Sequence, residues 1–367
     1  MQQNKIRVGL TTGDPNGIGY EVILKVLADS RISELCTPIL YGNKSCVDFY
    51  SKNTPSESRV NFQAISAAEQ ASPKKPNLIE LSQSFTPVPG EVTELAGSMA
   101  IASLKAAVRD IKQGKLDVLV TCPINKKNTT GDGFGFVGHT EFLAAEFGDV
   151  NPLMFMISDT LKVGLVTMHI PLEKVTENIT TQNVLDHIRL MKLSLERDFS
   201  IVAPKIAVLG LNPHAGDDGL LGTQEKEVII PALQSAEYEG VVVRGPFAAD
   251  GYFGSGAYTK FDATLAMYHD QGLAPFKAIT FADGVNFTAG LSIVRTSPAH
   301  GVGYDIAGRG VADEAPLRAS IYAAIDIFRS RSIFAQINAN PLQHATRDNN
   351  RNQRDINVDE LTPYNND

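Results

Sequence analysis

The stretch Arg7-Val8-Gly9-Leu10-Thr11-Thr12-Gly13-Asp14-Pro15-Asn16-Gly17-Ile18-Gly19-Tyr20-Glu21 decides how the chain is built. Arg7–Thr11 is a short apolar run suited to a buried strand, and Glu21–Leu27 carries an apolar pattern at helical spacing. The glycine-rich turn between them makes a strand–turn–helix, half of a βαβ unit. The same alternation recurs downstream. Strands are expected at Pro38–Tyr41, Val118–Thr121, Lys162–Met168, Lys205–Leu211, Val241–Val243, Thr264–Tyr268 and Leu291–Arg295. Helices are expected at Leu95–Gln113, Thr140–Phe147, Gln182–Arg197, Gln224–Tyr238 and Ala315–Ser330. In Leu95–Gln113 the residues Met99, Leu104, Val108 and Ile111 share one face, and Gly114 can end the helix. Alternation of this kind predicts an α/β fold with a mainly parallel sheet.

At 367 residues the chain exceeds one typical domain, so two domains sharing a cleft are expected. Its 43% hydrophobic and 20% charged residues are those of a globular protein, and no apolar run approaches the roughly 18 residues of a membrane helix. The start, Met1-Gln2-Gln3-Asn4-Lys5, runs straight into Ile6–Leu10 without a leader pattern, and Cys36, Cys46 and Cys122 lie scattered without metal or disulfide spacing. A cytoplasmic protein with no membrane partner is expected. A net charge of −8 and the lack of clustered Lys and Arg argue against a nucleic-acid partner. Ala64–Pro89, rich in Ser, Pro and Lys, reads as a surface excursion, and the Asn- and Asp-rich 345–367 as a peripheral extension.

Three histidines follow predicted strands: His169 after Val163–Met168, His214 after Ile206–Leu211 and the Asn212-Pro213 pair, His269 after Leu265–Tyr268. Ligands of open parallel sheets bind outside the carboxyl ends of the strands, so these rings can converge on one crevice and offer nitrogen ligands to a divalent metal. The plainer reading is a satisfied structural histidine at each place, and no HExxH-type spacing decides between them. His187 and His344 have no comparable setting.

Anions have three candidate seats. The loop Gly13–Gly19 opens a helix, where backbone N–H groups face an anion, although it lacks both the dinucleotide and the phosphate-loop fingerprints and could be only a tight turn. Lys277, Asn286 and Arg295 recur along an otherwise apolar region, with Arg295 expected at the carboxyl end of its strand. Gly138-His139-Thr140-Glu141 begins a predicted helix with Thr140 as a natural N-cap.

The segments GDPNGIGYE (13–21), TCPINK (121–126), GHTEFLA (138–144), LNPHAGDDGLLG (211–222), DATLAMYHDQGLAPFK (262–277), VNFTAGLSIVRTS (285–297) and HGVGYDIAGRG (300–310), in this order, resemble the 4-hydroxythreonine-4-phosphate dehydrogenases. The likeness runs from about residue 6 to residue 330. It departs from the family pattern at Asn16, Tyr20, Asp217-Asp218 and Val302-Gly303.

The resemblance implies two α/β/α domains with a cleft between them, akin to the isocitrate and isopropylmalate dehydrogenases. Residues 1–125 with 265–344 would form the cofactor side, 126–264 the metal, substrate and dimerisation side, and 345–367 an extension. It places one divalent ion (zinc, cobalt, nickel, manganese or magnesium) on His169, His214 and His269, in sites shared across a homodimer with His269 expected from the partner. Substrate contacts would fall on His139, Thr140, Lys277, Asn286 and Arg295; cofactor contacts on Gly13, Asp14, Gly17, His300 and Asp305; catalytic roles on Lys277 and Asp250. The implied reaction is NAD-dependent oxidation of 4-phosphooxy-L-threonine at C3, giving a 3-oxo acid that decarboxylates to 3-amino-2-oxopropyl phosphate on the route to pyridoxine 5'-phosphate. A related dehydrogenase of threonate or erythronate 4-phosphate is the alternative. The resemblance implies NAD over NADP, and no Arg cluster lies near His300–Gly310 to receive a 2′-phosphate.

Overall fold

The computed structural model describes residues 5–54, 59–81, 85–129, 135–136, 138–149, 152–280 and 282–340, so His344 and the 345–367 extension lie outside the described residues. The chain opens with β1 (Ile6–Thr11), α1 (Gly19–Ala28), α2 (Ser30–Leu35), β2 (Cys36–Gly42), α3 (Lys44–Asn53), β3 (Gln63–Ile65) and β4 (Asn77–Glu80). It continues through α4 (Glu94–Lys112), β5 (Val118–Thr121), α5 (His139–Phe147), β6 (Leu153–Ile157) and β7 (Lys162–Leu165). Next come α6 (Val175–Asn178), α7 (Thr181–Phe199), β8 (Lys205–Leu209), α8 (Ile230–Tyr238), β9 (Val242–Phe247) and α9 (Ala249–Gly254). β10 (Ala263–Ala266), α10 (His269–Thr280), β11 (Val285–Ala289), β12 (Val294–Pro298) and α11 (Ala315–Asn338) complete it.

The strands form one 12-stranded sheet in the order β3-β4-β2-β1-β5-β12-β11-β6-β7-β10-β8-β9. It is an α/β architecture. β6 runs antiparallel to both β7 and β11, and β11 antiparallel to β12, while the flanking strands pair in parallel. Strands from 126–264, joined by β10, occupy one end of the sheet and the remainder the other, meeting at the β6–β11 pair. Parallel strands buried on both faces are continuously apolar, as in β5 (Val118, Leu119, Val120) and β8 (Ile206, Ala207, Val208, Leu209), all buried. No helix among the described residues is long and apolar enough to cross a membrane.

α4 forms as its pattern demands. Thr93 accepts a hydrogen bond from Ala96 N as N-cap, the face carrying Met99, Leu104, Val108 and Ile111 is buried, and Gly114 ends the helix at φ +69°. Elsewhere local signals give way to tertiary ones. Instead of a strand at Leu291–Arg295, the chain turns at Gly290 (φ +88°), Asp149 holds Ser292 through its N–H and hydroxyl, and the ladder begins only at Val294. The Ala64–Pro89 excursion contributes β4 and most of β3, because Asn77 donates to Pro38 O and keeps that segment beside β2. Leu153–Ile157 and Val285–Ala289 are strands not anticipated, as are the helices α3 and α10.

Candidate active site

Arg295 is the second residue of β12, not the last of its strand, and it is only 3% exposed. Its Nε and Nη2 donate to Thr121 Oγ1 at 3.1 and 2.7 Å, and Nη1 to Thr288 Oγ1 at 3.0 Å. Among the described residues no carboxylate pairs with it. Burial therefore pushes the guanidinium down to about 10, with the more distant Glu141 opposing that shift. Asn286 stands opposite Ser297 in the β11–β12 register, and a two-residue side-chain period puts it on the face of Thr288 and Arg295. Its Oδ1 is enclosed and without a partner.

His139 is the first residue of α5, Gly138 its N-cap, and Thr140 the second helical residue, so Thr140 does not cap as expected; no side chain caps this end. The glycine, extended at φ −173°, lets the chain enter without a capping side chain. His139 Nε2 is enclosed and unpartnered. Burial, then Arg295, then Lys126 hold its pKa well below the ordinary value, so the ring is neutral. A buried arginine without a carboxylate partner, within electrostatic reach of a neutral histidine with an orphaned nitrogen, is a site prepared for an anion.

Beside it lies a pair of histidines. Backbone bonds from Val166 to Ala266 O and from Thr167 to Met267 O extend the β7–β10 pairing beyond Leu165, so His169 and His269 leave at the same edge of the sheet. Their ring centroids are 5.9 Å apart. They line a cavity of about 350 Å³ with Met168, Ile170, Leu172, Val175, Tyr268 and Asp270. His269 Nδ1 is 2.7 Å from Asp270 Oδ1, and His169 Nδ1 is 3.8 Å from Glu141 Oε1. Glu141 joins the two regions: its carboxyl is held below the usual range, first by His169 and also by Lys126.

His214 is not part of this pair. It is exposed on a turn, Pro213–Gly219, in which His214, Ala215, Gly216, Asp217 and Asp218 all have positive φ. Buried Glu225 holds the entry to that turn by accepting from Leu211 N, Asn212 N and Asn212 Nδ2. Gln271 ties the two loops together: its Oε1 accepts from Met267 N and its Nε2 donates to Gly210 O. Two imidazoles at this separation suit part of a divalent-metal ligand set. Among the described residues no group of three or more His, Cys, Asp or Glu side chains is arranged to hold an ion.

The loop Gly13–Gly19 packs into the protein. Asp14 is 1% exposed; its Oδ2 accepts from Asn128 Nδ2 and the Tyr304 hydroxyl, and its Oδ1 from Asn16 N. A Cβ on Gly13 (φ +63°) would stand 2.2 Å from Pro123 O, and one on Gly17 2.3 Å from Val302 Cγ1. Gly13 thus lets the first strand–helix turn dock against Cys122 and Pro123, and Gly17 lets it dock against Val302. Next to it a largely apolar cavity of about 360 Å³ is lined by Ile18, Phe276, Lys277, His300, Ile306 and Pro316 among others. His300 Nε2 is enclosed there without a partner. Lys277 is an exposed side chain of this cavity, and no contact joins it to Arg295. Asp305 and Asp250 are exposed, the latter on α9.

Thr121, Lys126, Glu141, Asp270, Gln271 and Glu225 carry no signal in the sequence that marks them as site residues. Five of them lie inside the motifs TCPINK, GHTEFLA and DATLAMYHDQGLAPFK, Thr121 opening and Lys126 closing the first, with Glu141 beside Thr140 and Asp270 beside His269.

The family model described as pyridoxal phosphate biosynthetic protein PdxA matches residues 34–324. A 4-hydroxythreonine-4-phosphate dehydrogenase of Bacteroides thetaiotaomicron is 46% identical over 94% of both chains. One from Aquifex aeolicus is 42% identical over 84% of this chain and 94% of its own. The crystal structure of the Klebsiella pneumoniae enzyme of that name superposes with a TM-score of 0.76 at 33% identity, covering 89% of this chain and 98% of the other. A terephthalate 1,2-cis-dihydrodiol dehydrogenase from Burkholderia xenovorans superposes with a TM-score of 0.57 at 27% identity, covering 88% and 98%. The chain therefore belongs to the PdxA family of pyridoxal phosphate biosynthesis and is an oxidoreductase of the dehydrogenase type.

Proposed function

We propose that this enzyme oxidises 4-phosphooxy-L-threonine at C3 with NAD, the 3-oxo acid then losing carbon dioxide to give 3-amino-2-oxopropyl phosphate. The observation that carries the reading is Arg295: a buried guanidinium bonded only to hydroxyls, within electrostatic reach of His139, whose Nε2 is orphaned, calls for an anionic substrate group. The relatives' shared name supplies the substrate class.

In this reading Arg295, His139, Asn286 and the start of α5 at Thr140 hold the substrate's anionic groups, fixing C3 with respect to the cofactor. His139 enters neutral, so it donates or accepts one hydrogen bond without adding charge to a site that already holds Arg295. The apolar cavity at His300 receives the dinucleotide, and the buried Gly13–Gly17 turn shapes its floor rather than bonding it directly. Lys277, an exposed side chain on the wall of that cavity, is the group offered for proton transfer. Asp250 has no contact with these groups within one chain, so a catalytic role for it requires α9 to face a partner's cleft in a homodimer. His169 and His269, with His214, would hold the divalent ion. When bound, the dinucleotide supplies a hydride acceptor and the ion supplies charge stabilisation at the C3 oxygen.

The test is a substrate panel followed by nicotinamide absorbance, with added divalent metals, NAD and NADP. Steady reduction of NAD with 4-phosphooxy-L-threonine is expected. Faster turnover of threonate or erythronate 4-phosphate would transfer the assignment to the sugar acids, and absence of reduction with every phosphorylated hydroxy acid would overturn the reading.

A further inference from the structure

The hairpin that carries Asn286, Thr288 and Arg295 is open where those residues meet. β11 and β12 pair at Val285–Pro298, Asn286–Ser297 and Phe287–Thr296, and the ladder stops one step short of Thr288 and Arg295. From there each strand follows its outer neighbour, Thr288 beside Met154 of β6 and Arg295 beside Leu119 of β5. Ladder hydrogen bonds therefore do not fix the distance between Thr288 and Arg295. One side-chain bond, from Arg295 Nη1 to Thr288 Oγ1, and the turn beyond are left to fix it.

That turn is held from outside the hairpin. Asp149 accepts from Ser292 N and Oγ at 3.0 and 3.2 Å. Arg331 of α11 donates through Nη1 to Leu291 O at 3.1 Å and Ser292 O at 3.4 Å, and through Nε to Asp198 of α7 at 2.7 Å. Asp198 is fully buried and also accepts from the Arg197 guanidinium and the Ser194 hydroxyl. The Arg331 guanidinium lies over the ring of Phe287, 5.9 Å from its centroid. Phe287 points to the opposite face of β11 from Asn286 and Thr288, so Arg331 stands behind the hairpin, away from any ligand of Arg295.

We propose that Arg331, anchored on Asp198, is a positioning residue for the anion site: by tying the β11–β12 turn to α7 and α11 it sets the spacing of Asn286 and Thr288 from Arg295. The anion rests on the reading of Arg295 given above; the spacing does not. An ion pair with a purely structural role would contribute to stability and leave Arg295 where it is. Removing Arg331 leaves Asp198 paired with Arg197 and Ser194, so no buried carboxylate is orphaned and the fold should survive.

The experiment uses full-length protein with 15N-labelled arginine and follows the Nε–H resonance of Arg295, assigned by its loss in Arg295→Met, during titration with inorganic phosphate alone. In Arg331→Met that resonance should move or broaden, and affinity for phosphate should fall about 10-fold or more. Arg331→Lys keeps a cation beside Asp198 but lacks the fork that reaches both the carboxylate and the turn, so it should restore the melting temperature and neither of the other two readouts. Arg189→Met removes an exposed ion pair between α7 and Glu239 without reaching the turn, and should change neither. With 4-phosphooxy-L-threonine, KM should rise about 10- to 100-fold in both Arg331 variants while kcat changes little. A wild-type resonance and wild-type phosphate affinity in either folded Arg331 variant would overturn the proposal. A resonance that moves in these variants of a protein that binds no phosphate would support the positioning and defeat the anion reading alone.

Discussion

The rings of His169 and His269 lie 5.9 Å apart because β7 and β10 are parallel neighbours, with Val163 opposite Thr264 and Leu165 opposite Ala266. The pairing continues through Val166 and Thr167, so both segments leave the sheet at equal height. Replacing either ring by Ala should remove most bound zinc, measured by elemental analysis of dialysed protein. Unchanged metal content in both variants would contradict the assignment.

Arg295 offers a sharper separation of binding from stability. A buried cation without a carboxylate costs desolvation free energy that the two threonine hydroxyls only partly offset. Arg295→Met should therefore leave unfolding free energy within about 1 kcal/mol of wild type or raise it, while the KM for a phosphorylated substrate rises about 100-fold, the loss of roughly 3 kcal/mol of charge-assisted hydrogen bonding. Chemical denaturation and initial rates on the same preparation check both halves. A destabilised variant with normal KM would make Arg295 a structural residue.

His139 gives a pH signature. Its folded pKa lies well below the 6.5 of an unrestrained ring, so the unfolded chain binds the proton more readily. Its contribution to stability is complete above about 6.5 and is lost progressively as pH falls below it toward the lower folded value. His187 and His300 are shifted in the same direction, chiefly by burial, so they share the acid sensitivity. His139→Gln should reduce, without abolishing, the fall in melting temperature between pH 6.5 and pH 5. An unchanged slope would mean that the ring is not buried neutral in solution.

Much of this was legible in the sequence, and what was not has physical causes. The α/β alternation was readable wherever a buried parallel strand is continuously apolar, as at Val118–Thr121 and Lys205–Leu209. Arg295 was found by its oddity in apolar company, but its strand was set too early because the turn at Gly290 and the Asp149–Ser292 contact are tertiary facts. The glycine loop admitted two readings, an anion seat or a tight strand-to-helix turn, and the sequence did not show that Asp14 is saturated by Asn128, Tyr304 and Asn16, partners that its local sequence does not reveal apart from Asn16. Glu141 escaped notice because its relation to His169 exists only once α5 and the loop after β7 face each other.

Gly17 tests how the cofactor side is shaped. A methyl group there would meet Val302 Cγ1 at 2.3 Å and Val302 O at 2.6 Å, and the second atom is backbone. Gly17→Ala should cost about 1–3 kcal/mol of stability by overpacking. It should also raise the KM for NAD through displacement of 300–304, with the KM for substrate little changed. Val302→Ala in the same chain relieves the clash with Cγ1 but not with the carbonyl oxygen, so rescue should be partial. Full rescue would place the strain in the side chain alone.

The last prediction concerns the third histidine. Within one chain His169 and His269 are already together and His214 is separate and exposed, held on its own positive-φ turn by Glu225. The resemblance to the family suggested His269 as the ligand that crosses a homodimer; this geometry favours His214 in that part. The two arrangements separate in a subunit-mixing experiment. If His214 crosses, a dimer of one His169→Ala chain and one His214→Ala chain has one intact site and one doubly damaged site, and recovers about half of normal turnover. A mixture of His169→Ala with His269→Ala chains leaves every site damaged and recovers none. If His269 crosses instead, the second mixture recovers activity. Differently tagged subunits establish that exchange has occurred, and recovery in neither mixture, with exchange shown, would place all three ligands in one chain.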